Sequence, residues 1–324
     1  MKRETKLSSF AGYAWFALVY NIVVILWGVF LRASKSGDGC GQHWLTCHGE
    51  VIPSAPEMKT VIEFSHRLTS GLAFIVVLAL LVWAFRKFAK GHPIRKTAVI
   101  SFIFIVTEAL VGAGLVLTGN TAETLTASRP FWMAGHLINT FILLAFLSLT
   151  AWFASGGKTF NFKAQPKVLL FLGIAVLGIF LVGMSGSVAA LSSMLFPSET
   201  LTEGVAKDFS DASHVLLRLR VSHPILSIMV AVFLVFLAGW FKSKAVGNFR
   251  VNRWANVLTI LIVVQIAFGA LTLLTLAPIV MQIGHLFLAD AVWIVFVLLS
   301  ASFLAEQNNL PEASITTEPQ ETIA

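Results

Sequence analysis

The chain has 324 residues, of which 57% are apolar and only 12% charged, and its mean hydropathy is +0.83. Soluble domains carry about 25% charged and 45–50% apolar residues, so this composition excludes a soluble enzyme, a disordered protein and a secreted disulfide scaffold, and leaves a polytopic membrane protein. The net charge of +7 does not point to nucleic acid, because the basic residues lie between apolar runs instead of in one patch.

A helix needs roughly 20 apolar residues to cross a bilayer. Eight runs reach that length, over residues 10–31, 60–85, 97–118, 130–154, 167–188, 213–241, 254–276 and 281–304. They are too long for barrel strands, and backbone groups in lipid must be paired within their own segment, so each is predicted to be a helix. The first run is too long for a signal-peptide core and no small-residue cleavage site follows it, so it reads as a retained span. Lys2, Arg3, Lys6, Arg86, Lys87, Lys90, Arg95, Lys96, Lys158, Lys163, Lys167, Lys242, Lys244, Arg250 and Arg253 fall on one side, fifteen of the 23 Lys and Arg. That side is predicted to be cytoplasmic, with both termini on it, in a cell membrane. The polar stretch 306–324, with Glu306, Glu312, Glu318 and Glu321 and no Lys or Arg, is expected to be a disordered tail. Two long connections, 32–59 and 189–212, fall on the other, outer side; the first carries both cysteines with several Gly and Pro and is expected to be a compact loop.

The two halves resemble each other. Glu63-Phe-Ser-His66-Arg67 lies opposite Arg220-Val-Ser-His223-Pro224, and Glu108 through Gly112 lies opposite Gln265 through Gly269, both at a shift of 157 residues. Gly135-His136-Leu137 matches Gly284-His285-Leu286 at a shift of 149, as a shorter final loop requires. The expected architecture is therefore all-α, eight transmembrane helices as two repeat-related four-helix bundles: residues 1–155, residues 156–305, then the tail. An even number of spans per copy gives both copies one orientation, about an axis along the membrane normal.

Four histidines, His66, His136, His223 and His285, lie inside runs two, four, six and eight, at matching depth below the outer side. Ionisable groups in a membrane are costly and point to function. Two imidazoles on facing helices suit bis-histidine haem ligation; zinc or copper would ask for a third or fourth ligand, and no further His or Cys lies at that depth. The pairing expected is His66 with His136 and His223 with His285, one haem per half. Gly71, Gly112, Gly114, Gly269 and Ala270 are small enough to let a flat macrocycle approach the backbone, and Arg67, Arg129, Arg218 and Arg220 lie near the outer rim, where Arg67, Arg129 and Arg220 are the candidate propionate contacts. His43, His48, His92 and His214 read as solvated.

The halves differ at Glu63, whose counterpart is Arg220. Glu63 is three residues from His66 and shares its helix face, so one site has a carboxylate that can act in proton transfer, or that simply pairs with Arg67 four residues on. Glu108, opposite Gln265, reads first as cross-helix glue, with proton carriage as the alternative. Cys40 and Cys47 suit a disulfide in an outer loop, either a staple worth roughly 2.5 kcal/mol or a pair exchanging with a thiol partner. Their spacing does not suit covalent haem attachment.

These residues resemble the haem A synthase family. The resemblance is carried by Arg32-Ala-Ser-Lys-Ser-Gly-Asp-Gly-Cys40 running to Trp44 and Cys47, by Glu63-Phe-Ser-His66-Arg67-Leu-Thr-Ser-Gly71, by Gly183-Met-Ser-Gly186 through Leu195-Phe196-Pro197, by Gln265 through Thr272, and by Gly284-His285-Leu286. It implies oxidation of a ring methyl of haem O, through a hydroxymethyl and then a gem-diol that loses water, to the formyl group of haem A for haem-copper oxidases. It also implies a haem b cofactor on His223 and His285, substrate haem on His66 and His136, and Glu63 as the catalytic acid. Expected partners are haem O synthase, haem-copper oxidase assembly and an unspecified electron donor. Pro224 stands where family members often carry Arg, which passes propionate pairing in that half to Arg220, and the second outer connection has no Cys pair. A di-haem quinol-oxidising cytochrome b explains the four histidines but neither the one-sided Glu63 nor the Cys loop; a repeat-built transporter predicts no haem at all.

Overall fold

A computed structural model describes residues 8–121, 124–160 and 166–306. Lys2, Arg3, Lys6, Lys163 and, apart from Glu306, the predicted tail lie outside the described residues. The helices are α1 (Ser9–Ala33), α2 (Met58–Lys87), α3 (Pro93–Leu117), α4 (Arg129–Ala154), α5 (Pro166–Leu195), α6 (Leu201–Phe209), α7 (Val215–Arg220), α8 (Ser222–Lys244), α9 (Phe249–Leu274) and α10 (Ile279–Glu306). With α7 and α8 taken as one, eight helices are long and apolar enough to cross a membrane, one for each predicted run. Among the described residues there is no strand, only an isolated bridge between Cys47 and Glu50. The protein is an all-helical, multi-pass membrane protein.

The helix ends differ from the apolar runs for local reasons. α3 starts at Pro93 because the His92 ring accepts the Ile94 N–H as an N-cap and proline suits a first turn. α9 starts at Phe249 because the Asn248 side chain accepts the Val251 N–H. Hydropathy does not register these polar first turns. α5 runs on past residue 188 to Leu195, where its serines satisfy their hydroxyls on the helix itself, Ser187 Oγ donating to Met184 O at 2.8 Å. The α7–α8 break at Val221 follows from Pro224, which has no N–H to give to the Arg220 carbonyl one turn earlier.

Spans α1 to α4 pack in sequence order, with α1 also against α4; α5 packs on α7 and α8, α8 on α9 and α9 on α10. Across the middle, α4 packs on α10, α4 on α5 and α1 on α10. If α1 is equated with α5 and α4 with α10, the last two contacts are one contact made twice, an arrangement compatible with the internal repeat. α4 and α10 are the most enclosed spans. Their join holds Phe141, Phe180 and Trp293, with Trp293 Nε1 donating to Phe141 O at 2.6 Å. Between membrane helices such packing and hydrogen bonds replace the hydrophobic drive, since lipid tails are as apolar as the core.

Candidate haem-binding site

All four intramembrane histidines sit near the end of the bundle that carries the Cys loop. They fall eight, seven, eight and six residues from the starts of α2, α4, α7 and α10, about 9–12 Å along the helix at 1.5 Å per residue.

His223 and His285 face each other, with ring centroids 6.2 Å apart and planes at 90°. Two metal–imidazole bonds of about 2 Å each, plus the two ring radii, span about 6 Å, so the separation of the rings matches that of two imidazoles sharing one metal ion. Glycines back both imidazoles: a methyl group on Gly186 would come within 2.9 Å of His223 Cε1, and one on Gly269 within 2.9 Å of His285 Cε1. Ser185 Oγ lies 3.2 Å from His223 Nδ1, and Gln265 Nε2 donates to His285 O at 3.1 Å. The described residues contain no group of three or more His, Cys, Asp or Glu placed for a metal. A two-imidazole set with glycine behind each ring fits an axially ligated haem.

In the other half, a methyl group on Gly28 would lie 3.1 Å from His66 Cε1, and α1 packs on both α2 and α4, the helices that carry His66 and His136. Glu108 Oε1 lies 3.3 Å from His136 Nδ1. The same carboxylate accepts from Thr140 Oγ1 and Asn139 Nδ2, each at 2.5 Å. Glu108 is thus the cross-helix glue expected of it and also borders the ring of His136, as carboxylates do that orient metal-binding histidines. A methyl group on Gly112 would meet nothing within 4 Å, whereas its repeat partner Gly269 is filled by His285.

Cys40 and Cys47 form a disulfide, and the loop it closes is fastened to α2. Glu63, 3% exposed, accepts the Cys40 N–H at 2.8 Å and pairs with Arg67, whose other nitrogen donates to His43 O at 2.6 Å and Thr46 O at 2.8 Å. Arg220 does the equivalent task in the other half, pairing with Asp208 at 2.5 Å and donating to Gly204 O at 3.2 Å, so that it holds α6. On α6 itself, which lies outside the spans, the Lys207 ammonium hydrogen-bonded to Glu203 holds that carboxyl below its usual range. Of the three candidate propionate contacts, Arg67 and Arg220 are therefore already engaged with carboxylates, while Arg129 pairs with no carboxylate among the described residues. Of the small residues named from sequence, Gly269 touches a histidine and Gly114 is filled by the Trp132 indole. Gly28 was not singled out from sequence, and Ser185 and Gly186 were quoted only as part of a motif; a Gly on the helix adjoining each histidine helix was the available signal. It also passed over Asp290, 1% exposed within α10, with neither carboxylate oxygen hydrogen-bonded.

An eight-span helical bundle with four histidines near one end fits a membrane protein that handles haem, and the pattern of the family described as "Cytochrome oxidase assembly protein" matches residues 11–297. The chain belongs to this family, that of the haem A synthases. It is 35% identical over 127 residues to a "Heme A synthase" of Halalkalibacterium halodurans, covering 39% of this chain and 42% of that one. It is 39% identical over 114 residues to a "Heme A synthase" of Bacillus mycoides, covering 34% and 37%. A Thermus thermophilus protein named "Protoheme IX farnesyltransferase" is 46% identical over 297 residues, 92% of this chain and 49% of the relative. The chain spans about half the length, or less, of the curated relatives it matches.

Proposed function

We propose that this chain oxidises a ring methyl of haem O to the formyl group of haem A. The observation that carries the reading is the inequality of the two histidine pairs. His223 and His285 stand one metal ion apart with glycine packed behind both rings, as suits a resident haem b. His66 and His136 belong to a half with open space at Gly112 and with a buried acid three residues from His66, as suits a haem that enters, reacts and leaves. When bound, the haem of the first pair supplies one-electron transfer.

The protein's own groups position and move protons. His66 and His136 orient the substrate, with Glu108 bordering the His136 ring. Glu63 is the proton-transferring acid; its carboxylate is held by Arg67 and by the Cys40 N–H, so its orientation depends on the disulfide loop. Arg129 pairs a propionate, and Arg67 and Arg220 reach one only by sharing their carboxylate partners. The division into halves 1–155 and 156–305, cytoplasmic termini and a cell-membrane location follow from the charge pattern and the repeat. A haem O synthase supplying substrate, haem-copper oxidase assembly receiving product and a separate electron donor are the expected partners, and a relative named for farnesyl transfer to protohaem is in keeping with the first. Adding haem O and a reductant to the purified protein in air, followed by chromatography of the pigments, tests the reading. Formyl haem is expected; a di-haem electron carrier would produce none.

A further inference from the structure

Arg67 and Arg220 each hold a carboxylate, but Arg129, buried, and Arg32, half-buried, at the same Cys-loop end do not. Among the described residues no Asp or Glu oxygen lies within 4.0 Å of Arg32 or Arg129. Arg129 is 3% exposed; one of its terminal nitrogens donates to Thr124 O at 2.6 Å, and its Nε has no hydrogen-bond partner. Arg32 donates to Gln282 Oε1 at 3.1 Å, and Gln282 Nε2 is fixed by donation to Ala277 O at 2.7 Å. α1 packs on α4 and on α10, and Arg32 in the last turn of α1 and Arg129 in the first turn of α4 both stand at the Cys-loop end of that packing. Two like charges gathered in partly dry surroundings are unfavourable without a counter-charge, and an unmatched buried fork of donors calls for an oxyanion.

The helical register says where that oxyanion comes from. Arg32 is four residues beyond Gly28, the residue that abuts His66, so both lie on one stripe of α1. Arg129 precedes His136 by seven residues, two turns along α4. The arginines thus stand outward of the His66–His136 pair, while Gln282 comes from α10, three residues before His285.

We propose that Arg32 and Arg129 form an oxyanion site that takes a carboxylate arm of the macrocycle held by His66 and His136, with Gln282 of the other half as the residue that positions Arg32. The proposal rests on the functional reading above. It makes substrate docking a contact between the halves, through α1, α4 and α10.

The test uses the full chain purified with its resident haem and titrated, by absorbance, with haem O and with haem O whose two carboxylates are methyl esters. Wild type is expected to bind the free acid about tenfold or more tightly than the ester. Arg32→Gln and Arg129→Gln are expected to bring the free acid down to the level of the ester and leave ester binding unchanged. Gln282→Leu is expected to narrow the preference part of the way. The Soret band of the haem on His223 and His285 reports correct folding in each variant, and Arg129→Lys, which keeps charge without the fork, is expected to retain part of the preference. Equal binding of acid and ester by wild type, or an unchanged preference in the arginine variants, would overturn the site. Phosphorus analysis covers the other source of an oxyanion: a phospholipid retained by wild type and lost in Arg129→Gln, with no acid–ester preference, would assign the arginines to a lipid phosphate and refute the carboxylate arm. A wild type that binds neither form would instead strike at the functional reading itself.

Discussion

Glu63 joins two structural tasks at one carboxylate. It closes an ion pair with Arg67 one turn along α2, and it accepts the backbone N–H of a disulfide cysteine. Glu63→Gln keeps an acceptor for Cys40 and removes the charge, so the resident haem is expected to remain while formyl haem production is lost; pigment analysis beside the optical spectrum checks both, and unchanged product would take Glu63 out of the mechanism. Cys40→Ser is expected to lower stability by about 2.5 kcal/mol, read from thermal unfolding, with activity reduced but not abolished. Complete loss of activity in a folded variant would mark the disulfide as a redox pair. Asp290 offers a contrasting residue. An unpartnered buried carboxyl costs about 1–3 kcal/mol, so Asp290→Leu is expected to raise the unfolding temperature; a fall would reveal a partner that Asp290 serves. The Glu63–Arg67 pair was legible because a four-residue spacing on a helix leaves little choice of neighbour. The Cys40 N–H was not, because a backbone donor in a loop has no signature in the side chains.

At the scale of elements, the histidine depth was legible from hydropathy and from the repeat together, since each fixes the helix and the position along it. The order of the eight spans and their spacing were legible for the same reason. The break between α7 and α8 was not read from sequence, although Pro224 was noticed there, because a proline near a helix start can be absorbed by the first turn or can divide the helix. Here it divides it, just before His223. Gly269, on α9 behind His285, was marked by its match to Gly112 in the other half, whereas Gly28 and Gly186, on α1 and α5, had no such match to mark them. The pair on α8 and α10 yields a direct expectation. His223→Ala or His285→Ala is expected to strip the tightly held haem and leave the helical content intact, as measured by Soret absorbance and circular dichroism. His66→Ala and His136→Ala are expected to spare that haem. Haem b persisting without His223 or His285 would refute the cofactor assignment.

For the whole molecule, the all-helical membrane class and the number of spans follow from composition and run length alone. How the halves join does not, because the join is made by apolar side chains that look alike in sequence whether they face lipid or another helix. The structure sets α4 against α10 and fastens them where Trp293 of one donates to the Phe141 carbonyl of the other. Each helix supplies one histidine to its own pair and one wall to the partner's half. The two copies therefore co-own their innermost partition, and neither is a finished object. A chain severed in the connection between α4 and α5 is expected to assemble when both pieces are made together, recoverable as one coloured complex by a tag on either piece, whereas the first piece made alone is expected not to accumulate. On that expectation, neither stretch of four spans would persist in the membrane without the other to cover its exposed wall.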